Sequence, residues 1–251
     1  MPEAATLPSN RDEAWRYADI GALARLGAGA LDEWKDIALA PGETRCHAMV
    51  VGSDGPELHR VRLTLGEGAR AEMFAVIAGS DYCRVEVEVR LARGAHFEFG
   101  GVTIGGGTAV REFVTRTLHA EPEATSNQTV RSVHWGRGTG NFLGNIDVAR
   151  DAQKTDAAQD FKGLLLEKGA SANAVPQLEI FADDVKCAHG ATVGQLDETA
   201  RFYMAARGLP PEAAKRLLVR AFIGDALVAL EDEGEQERLL EAALDALGDA
   251  V

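Results

Sequence analysis

A short element recurs along the middle of this chain of 251 residues: an apolar residue, a tight turn and a small residue. Four copies and one degenerate copy follow this pattern: Leu65–Ala69, Leu91–Ala95, Ala120–Ala124 (the degenerate one), Val148–Ala152 and Leu166–Ala170. Their first residues are spaced by 26, 29, 28 and 18 positions. Such a period is typical of stacked solenoid coils or of a β-sandwich, and periodicity alone does not separate the two.

The segments between these turns alternate apolar and polar residues, as half-buried strands do. The alternation is clearest in His59–Leu65, Arg84–Leu91 and His96–Ile104. A solenoid coil cannot bury its inner face alone, so coils stack and the end coils need covering. We expect flanking helical zones to provide that cover.

Three zones are predicted from these patterns. Residues 1–42 form a short N-terminal helical segment, residues 43–195 form the β core, and residues 196–251 form a C-terminal helical domain. Asp197 suits a helix N-cap and Gly208 suits the position after a helix, where a positive φ is needed.

Two further helices are predicted in the C-terminal zone. Pro210 and Pro211 suit the first turn of a helix that runs to about Leu230. A last amphipathic segment covers Gln236–Leu247. Helices with this much apolar surface usually pack on their own domain or on a partner.

The charge balance excludes two classes of partner. The chain has 39 acidic against 26 basic residues, a formal net charge of −13. Nucleic acid and anionic membrane surfaces both require a basic footprint, so neither is expected as a direct partner.

The cysteines and the start of the chain indicate a reducing compartment. Cys46, Cys83 and Cys187 are odd in number and widely spaced, which argues against a disulfide framework. The chain starts MPEAATLPSN, without a charged-then-apolar signal, and no run approaches the roughly 18 apolar residues of a membrane span. We expect a cytoplasmic location.

The segment Leu178–Asp197 concentrates chemistry-bearing residues. Cys187 and His189 stand two positions apart, so on a strand both side chains lie on one face. A thiol beside an imidazole suits iron, zinc or copper. A tetrahedral centre takes about four ligands, so a site built on this pair needs completion by another chain or by sulfide. The alternative is a small core thiol and a hydrogen-bonded histidine at a sheet margin.

Other motifs favour structural interpretations. Asp183, Asp184 and Lys186 are read as a polar turn with a local ion pair, ahead of acid–base chemistry or iron delivery. The run Gly100–Gly107 lacks the lysine and hydroxyl of a phosphate-binding loop and is read as a tight bend between strands. Cys46 and His47 are neighbours on opposite strand faces and are not expected to chelate one ion.

Four segments, in order, carry a family resemblance. They are Asn141–Val148 (NFLGNIDV), Ala152–Leu166 (AQKTDAAQDFKGLLL), Leu178–Asp197 (LEIFADDVKCAHGATVGQLD) and Thr199–Phe222 (TARFYMAARGLPPEAAKRLLVRAF). Together they resemble the SufB/SufD family of SUF iron–sulfur cluster assembly proteins, and within it the SufD-like members. The resemblance is convincing over roughly residues 139–230.

The resemblance implies a fold and a function. The fold is mainly β, with a right-handed parallel β-helix core and the flanking helical zones given above. The function is that of a non-enzymatic scaffold that pairs with a SufB-like subunit and docks a SufC-like ABC ATPase. An iron–sulfur cluster would be held transiently and shared with the partner, and reduced flavin could act on the complex without being assignable to this chain.

The resemblance also assigns residues. His189 aligns with a histidine at the boundary between the two family subunits, and Cys187 with the neighbouring cysteine, so both are candidate iron or cluster ligands. No residue is assigned as a catalytic nucleophile. The C-terminal helices are expected to dock the ATPase, with five candidate contact residues: Phe202, Leu209, Leu217, Leu218 and Phe222.

Two other functions remain open. One is a β-helix hydrolase or lyase that acts on an acidic polysaccharide. The other is a homodimeric adaptor without cluster chemistry, and a self-paired form of the chain in isolation also stays open.

Overall fold

The computed structural model of the chain describes residues 7–248. The first six residues of the predicted N-terminal segment and the last three of the predicted C-terminal domain lie outside the described residues.

Strands dominate the described part of the chain. Twelve are present within residues 7–248: β1 (Lys35–Leu39), β2 (Thr44–Val51), β3 (Glu57–Leu65), β4 (Arg70–Ile77), β5 (Tyr82–Leu91), β6 (His96–Gly105), β7 (Val110–His119), β8 (Thr125–His134), β9 (Thr139–Val148), β10 (Asp156–Leu165), β11 (Ser171–Ile180) and β12 (Lys186–Gly194). The strands predicted from alternation coincide with β3, β5 and β6. The first strand begins inside the segment for which the sequence predicts helix.

Consecutive strands alternate between two six-stranded sheets. Sheet A has the order β1-β3-β5-β7-β9-β11 and sheet B the order β12-β10-β8-β6-β4-β2. All pairing is parallel, and partners in adjacent turns lie from 26 residues apart (Thr44 and Arg70) to 32 apart (Ser171 and Thr139). The chain is therefore a parallel β-solenoid of about six turns, which confirms the solenoid over the sandwich. Right-handedness stays a prediction.

The topology explains the irregular spacing of the sequence repeat. Three copies and the degenerate one lie where the chain passes from sheet A to sheet B, for example between Leu91 and His96. The copy at Leu166–Ala170 follows β10 and leads to β11, so it lies on the opposite edge of the solenoid. The spacing of 18 therefore spans part of a turn of the solenoid rather than a whole one.

The space between the sheets is filled by apolar side chains. Alternate residues of each strand point inward, for example Val85, Val87 and Val89 of β5, all buried. The rings of Phe99 and Phe113 meet edge to face with centroids 5.3 Å apart. Burying one such ring contributes about 1.5–3 kcal/mol, so repetition of this pattern along the turns provides the main stabilisation.

The helices flank the strands in sequence. They are α1 (Ile20–Leu26), α2 (Glu198–Ala206), α3 (Pro211–Gly224) and α4 (Glu233–Asp245), with short 3-10 segments at Glu13–Trp15 and Ala28–Asp32. The predicted caps are confirmed: the Asp197 carboxylate accepts from the N–H of Thr199 and Ala200, and Gly208 has φ 86°. Within residues 7–248, no helix is long and apolar enough to cross a membrane.

One predicted helix boundary is wrong. The sequence extends α3 to about Leu230, but the helix ends at Gly224. The Asp225 carboxylate is bound by the Arg131 guanidinium of sheet B, at 2.9 Å from Nε, and the chain turns there. Leu227 lies after the helix and is still fully buried against the sheet, which is why its apolar character resembled a helical stripe.

The expectation that helices cover the ends of the solenoid is also wrong. Helix α3 packs against β8 and α4 against β2 and β4. The contact uses outward side chains of sheet B, such as Phe74, Val76 and Val102, which form one buried cluster with α3 and α4. The helices lie across this face because alternation in β4 and β6 makes their outer surface as apolar as the inner one.

The glycine-rich run is likewise not simply a bend. Gly100 and Gly101 lie inside β6, and only Gly106 and Gly107 lie in the following turn. A Cβ at Gly100 would stand 2.1 Å from the carbonyl oxygen of Ala226. The glycine therefore allows the segment after α3 to contact the sheet backbone directly.

Candidate functional site

The last turn of the solenoid is exposed along its outer edge. Strand β11 pairs only with β9 and β12 only with β10, so each has a free edge. Three large apolar side chains are exposed there: Ile180 at 39%, Phe181 at 61% and Val193 at 49%. Free edges and exposed apolar surface together are typical of a protein interface.

Cys187 and His189 lie on β12 at this edge. Cys187 is the register partner of Ala157 and His189 of Gln159. Ala157 and Gln159 are both buried in the interior of the solenoid. Alternation therefore gives the Cys187 and His189 side chains the inward-facing positions of the last turn, both on one face, where no further turn lies over them.

The surroundings of the two side chains differ. Cys187 is half-buried, and burial together with the Asp156 carboxylate raises the pKa of its thiol. His189 is exposed, and its ring makes no hydrogen bond to any residue of the described range 7–248. Metal binding requires a thiolate but a neutral imidazole, so His189 is the readier ligand of the two.

This chain provides at most two ligands at the last turn. Within residues 7–248, the one group of three or more potential metal ligands with mutually close atoms lies elsewhere and contains neither Cys187 nor His189. A metal centre that uses this pair therefore needs further ligands from outside the chain. The ligand role of the pair stays a prediction.

The turn between β11 and β12 borders a cleft of about 260 Å³ that contains Asp156, Asp184 and Lys186. The polar turn is present, and the Asp184 N–H donates to the Gln153 Oε1 at 2.8 Å. The ion pair expected within the segment is not formed, since among the described residues Asp183, Asp184 and Lys186 make no salt bridge. The loop geometry is held by backbone hydrogen bonds instead.

The five candidate docking residues are divided between surface and interior. Phe202 and Leu217 are 76% and 47% exposed, while Leu209 and Leu218 are half-buried. Phe222 packs against the cluster on the outer face of sheet B. The exposed apolar surface of α2 also includes Tyr203. The candidate docking surface is therefore mainly Phe202, Tyr203 and Leu217.

A second constellation lies near the other end of the solenoid. Glu57, His59 and Cys83 bring one potential ligand atom each within 4.8 Å of one another. Glu57 and Cys83 are register partners on β3 and β5. No ligand role was predicted for Cys83 from the sequence, so this group was missed. The signal was available, since the first two sequence repeats are 26 residues apart and so are Glu57 and Cys83.

The hydrogen bonding within this group is well defined. Glu57 Oε2 and His59 Nε2 are 2.6 Å apart. Burial acts to raise the pKa of Glu57, but hydrogen bonds from His59 and from the Ser53 N–H lower it below its ordinary value. Burial raises the pKa of Cys83 strongly.

Cys46 and His47 lie on opposite faces of β2, as expected. Cys46 points to the outer face, where burial and the Glu72 carboxylate raise the pKa of its thiol. His47 points inward, where burial and Lys35 lower the pKa of its imidazole. The two side chains therefore do not share a ligand position.

Comparison with known proteins gives a family model that matches residues 45–222, described as the SufBD core domain of the SUF system for FeS cluster assembly. The iron–sulfur cluster assembly protein SufD of Escherichia coli is 40% identical over 128 residues, or 50% of this chain and 30% of that protein. The chloroplastic protein ABCI7 of Arabidopsis thaliana is 47% identical over 114 residues, or 43% of this chain and 24% of that protein.

A longer alignment is found with an iron–sulfur cluster assembly SufBD family protein of Synechocystis. It is 31% identical over 188 residues, or 74% of this chain and 42% of that protein. In all three cases the match spans less than half the length of the relative. The region matched by the family model, residues 45–222, contains the solenoid from β2 onward, helix α2 and most of α3.

Proposed function

Because the chain belongs to the SufBD core family of the SUF iron–sulfur cluster assembly system, we propose that it is a scaffold subunit of that system. In this proposal it pairs with a SufB-like subunit, docks a SufC-like ABC ATPase and has no catalytic nucleophile of its own. The energy for assembly comes from ATP hydrolysis on the partner.

The observation that carries the proposal is the uncovered last turn of the solenoid. Strands β11 and β12 leave backbone donors and acceptors unpaired beside Ile180, Phe181 and Val193. A SufB-like solenoid with a similar edge could continue both sheets by strand addition. Pairing would satisfy the free backbone groups and bury the three apolar side chains.

The same surface, called the cargo surface below, is the proposed binding site of the iron or the iron–sulfur cluster. His189, exposed on the inward face of β12, is the proposed iron or cluster ligand, and half-buried Cys187 is the second candidate. Two ligands fall short of the four that a tetrahedral iron centre takes, so the partner or sulfide supplies the remainder. The cluster is thus held only while the two subunits are together.

The C-terminal helices are the proposed ATPase dock. Phe202 and Leu217 present apolar surface that the chain itself does not bury. We retain the three-part organisation into residues 1–42, 43–195 and 196–251 and a right-handed solenoid, with β1 of the first part joined to sheet A. The location that we propose is the cytoplasm, because all three cysteines are free thiols.

The test is co-expression with candidate SufB-like and SufC-like subunits, followed by light scattering and anaerobic iron and sulfide assays. The expected result is a mixed complex that contains iron and sulfide. His189→Ala should remove the sulfide and the iron that accompanies it while the complex persists. The matched control is His47→Ala, which alters the inward-facing histidine of the opposite edge strand and should change neither.

Thiol alkylation adds an independent measure of the surface used. In the free chain Cys46 is exposed and Cys187 half-buried, so both should react, whereas buried Cys83 should not. Complex formation should protect Cys187 and leave Cys46 reactive. A chain that elutes alone with either partner present, or a homodimer that excludes them, would refute the proposal.

A further inference from the structure

The group of Glu57, His59 and Cys83 combines three kinds of metal ligand on adjacent turns. All three side chains lie on the inward face, since they alternate with the outward Leu58 and Arg84. Strands β3 and β5 fix Glu57 directly opposite Cys83. The positions are therefore set by sheet register rather than by a loop.

The separation of the ligand atoms fits a metal ion. A carboxylate oxygen, an imidazole nitrogen and a thiol sulfur lie within 4.8 Å of one another. Four-coordinate zinc has bond lengths of about 2.0–2.3 Å, which place its ligand atoms about 3.3–3.8 Å apart. The observed separations lie within about 1.5 Å of that geometry, and metal binding would replace the Glu57–His59 hydrogen bond by bonds to the metal.

An independent observation concerns a buried arginine on the next strand of sheet A. Arg111 is the register partner of Cys83 on β7 and is 94% buried, with a relative exposure of 6%. Its Nη2 donates to the Ser80 carbonyl oxygen at 3.2 Å, whereas its Nε and Nη1 have no hydrogen-bond partner, and among residues 7–248 it makes no ion pair. A buried guanidinium without an anionic partner is costly, and a metal-bound thiolate at Cys83 would provide the missing negative charge.

We propose that Glu57, His59 and Cys83 form a binding site for a divalent transition-metal ion of the zinc and ferrous-iron class. Carboxylate, imidazole and thiolate ligands suit such ions rather than calcium or magnesium. Three protein ligands leave a fourth position open. This site is separate from the proposed cargo surface, which lies at the opposite end of the solenoid.

A path for the metal exists from solvent. The His59 side chain is 37% exposed, and the residue lines an open cleft of about 680 Å³ together with Lys35, His47 and Met49. Cys83 lies behind His59 and Glu57 and is fully buried. Metal therefore enters past His59 and reaches the thiol last.

The test uses the full chain alone, stripped of metal with a chelator and kept reduced. Cobalt(II) is the probe, because thiolate ligation gives a near-ultraviolet charge-transfer band and four-coordination gives intense visible bands. One equivalent should bind with both signals, and zinc should displace it. His59→Ala and Glu57→Gln should each weaken cobalt affinity by at least about tenfold, and Cys83→Ser should abolish the charge-transfer band.

The controls separate this site from the other thiols. Cys46→Ser and Cys187→Ser should keep both the affinity and the band. A wild-type chain that binds no cobalt, or a band that survives Cys83→Ser and disappears with Cys187→Ser or Cys46→Ser, would overturn the proposal. Because Cys83 is in the core and its variant could fail to fold, unchanged affinity in the half-exposed His59→Ala variant would overturn it alone. None of these outcomes depends on a partner.

Discussion

The two ends of the solenoid differ most clearly in how they terminate sheet A. At the first end the edge strand of sheet A, β1, has only five residues, and Trp34 beside it is covered by the guanidinium groups of Arg60 and Arg62 at 3.9 and 4.4 Å. At the last end β11 has ten residues and β12 nine, and Ile180, Phe181 and Val193 are exposed. Short, charged edge strands disfavour strand addition by another chain, whereas long, apolar edge strands favour it.

Each end also carries a cysteine and a histidine on its edge strand of sheet B. At the first end Cys46 and His47 are adjacent and point to opposite faces. At the last end Cys187 and His189 are two apart and point to the same face. One additional residue between the cysteine and the histidine therefore places both side chains on the same face, where they can bind one ion.

The sharpest way to test this contrast is to remove one aromatic ring from the interior and one from the last end. Phe161 is fully buried and stacks on Phe142 with centroids 6.0 Å apart. Phe161→Ala should lower the free energy of unfolding by about 3–5 kcal/mol. Phe181→Ala, at a side chain 61% exposed, should change it by less than about 0.5 kcal/mol and yet weaken partner binding.

Urea unfolding measures the first effect and light scattering of the complex the second. Should Phe181→Ala destabilise the free chain as much as Phe161→Ala does, the last end would be a packed part of the fold rather than an interface.

Lowering the pH should destabilise the fold through buried histidines in the middle of the solenoid. Burial lowers the pKa of His119 to about 4 and that of His134 to about 3. An unfolded histidine titrates near 6.5, so below that pH the unfolded state binds more protons and stability falls as the pH drops toward the folded pKa. At pH 5 each buried histidine should cost about 2 kcal/mol relative to pH 7.

Urea unfolding at the two pH values measures this loss. His119→Gln should reduce it by about 2 kcal/mol, since glutamine does not titrate. An undiminished loss in that variant would show that acid destabilises the protein elsewhere.

A proline at the free edge of β12 tests strand addition. The Lys186 N–H donates to the Thr155 carbonyl oxygen at 2.8 Å, so alternation directs the Ala191 N–H away from β10. Ala191→Pro should leave the free chain folded and weaken binding of the SufB-like partner by about tenfold or more, because it removes one edge donor. Sedimentation or light scattering of the mixture measures the affinity.

The matched control lies at the first end. The Val51 carbonyl oxygen accepts from the Ala78 N–H, which places the Cys46 N–H on the free side of β2. Cys46→Pro should leave partner binding unchanged. Equal weakening by both prolines would mean that the two edges are equivalent.

The sequence identifies the strands well and their assembly less well. Alternation locates β3, β5 and β6 because period two is a local property. It does not distinguish parallel from antiparallel neighbours, since both obey the same period, and the family resemblance was needed to choose the solenoid. The repeat of 18 was misleading because turns at both edges of the solenoid use similar residues.

Contacts between distant parts of the chain are harder to predict. Gly100 is required by the carbonyl of Ala226, a contact across 126 positions that no local pattern contains. That Glu57 and Cys83 are neighbours can be predicted only by pairing residues that are one repeat period apart. At the candidate last-turn site the shared face of Cys187 and His189 follows from spacing, but the exposure of that face depends on where the stack ends.

The fixed length of the strands has a consequence for how such chains change over evolution. From β5 to β11 every strand has ten residues, whereas four residues separate Leu91 from His96 and seven separate Val148 from Asp156. These connecting segments are the corners of the solenoid, and a residue inserted there lengthens the corner without shifting the strands. A residue inserted within a strand would invert every later side chain of that strand. Descendants can therefore gain and lose length at the corners while the columns of inward-facing side chains keep their partners.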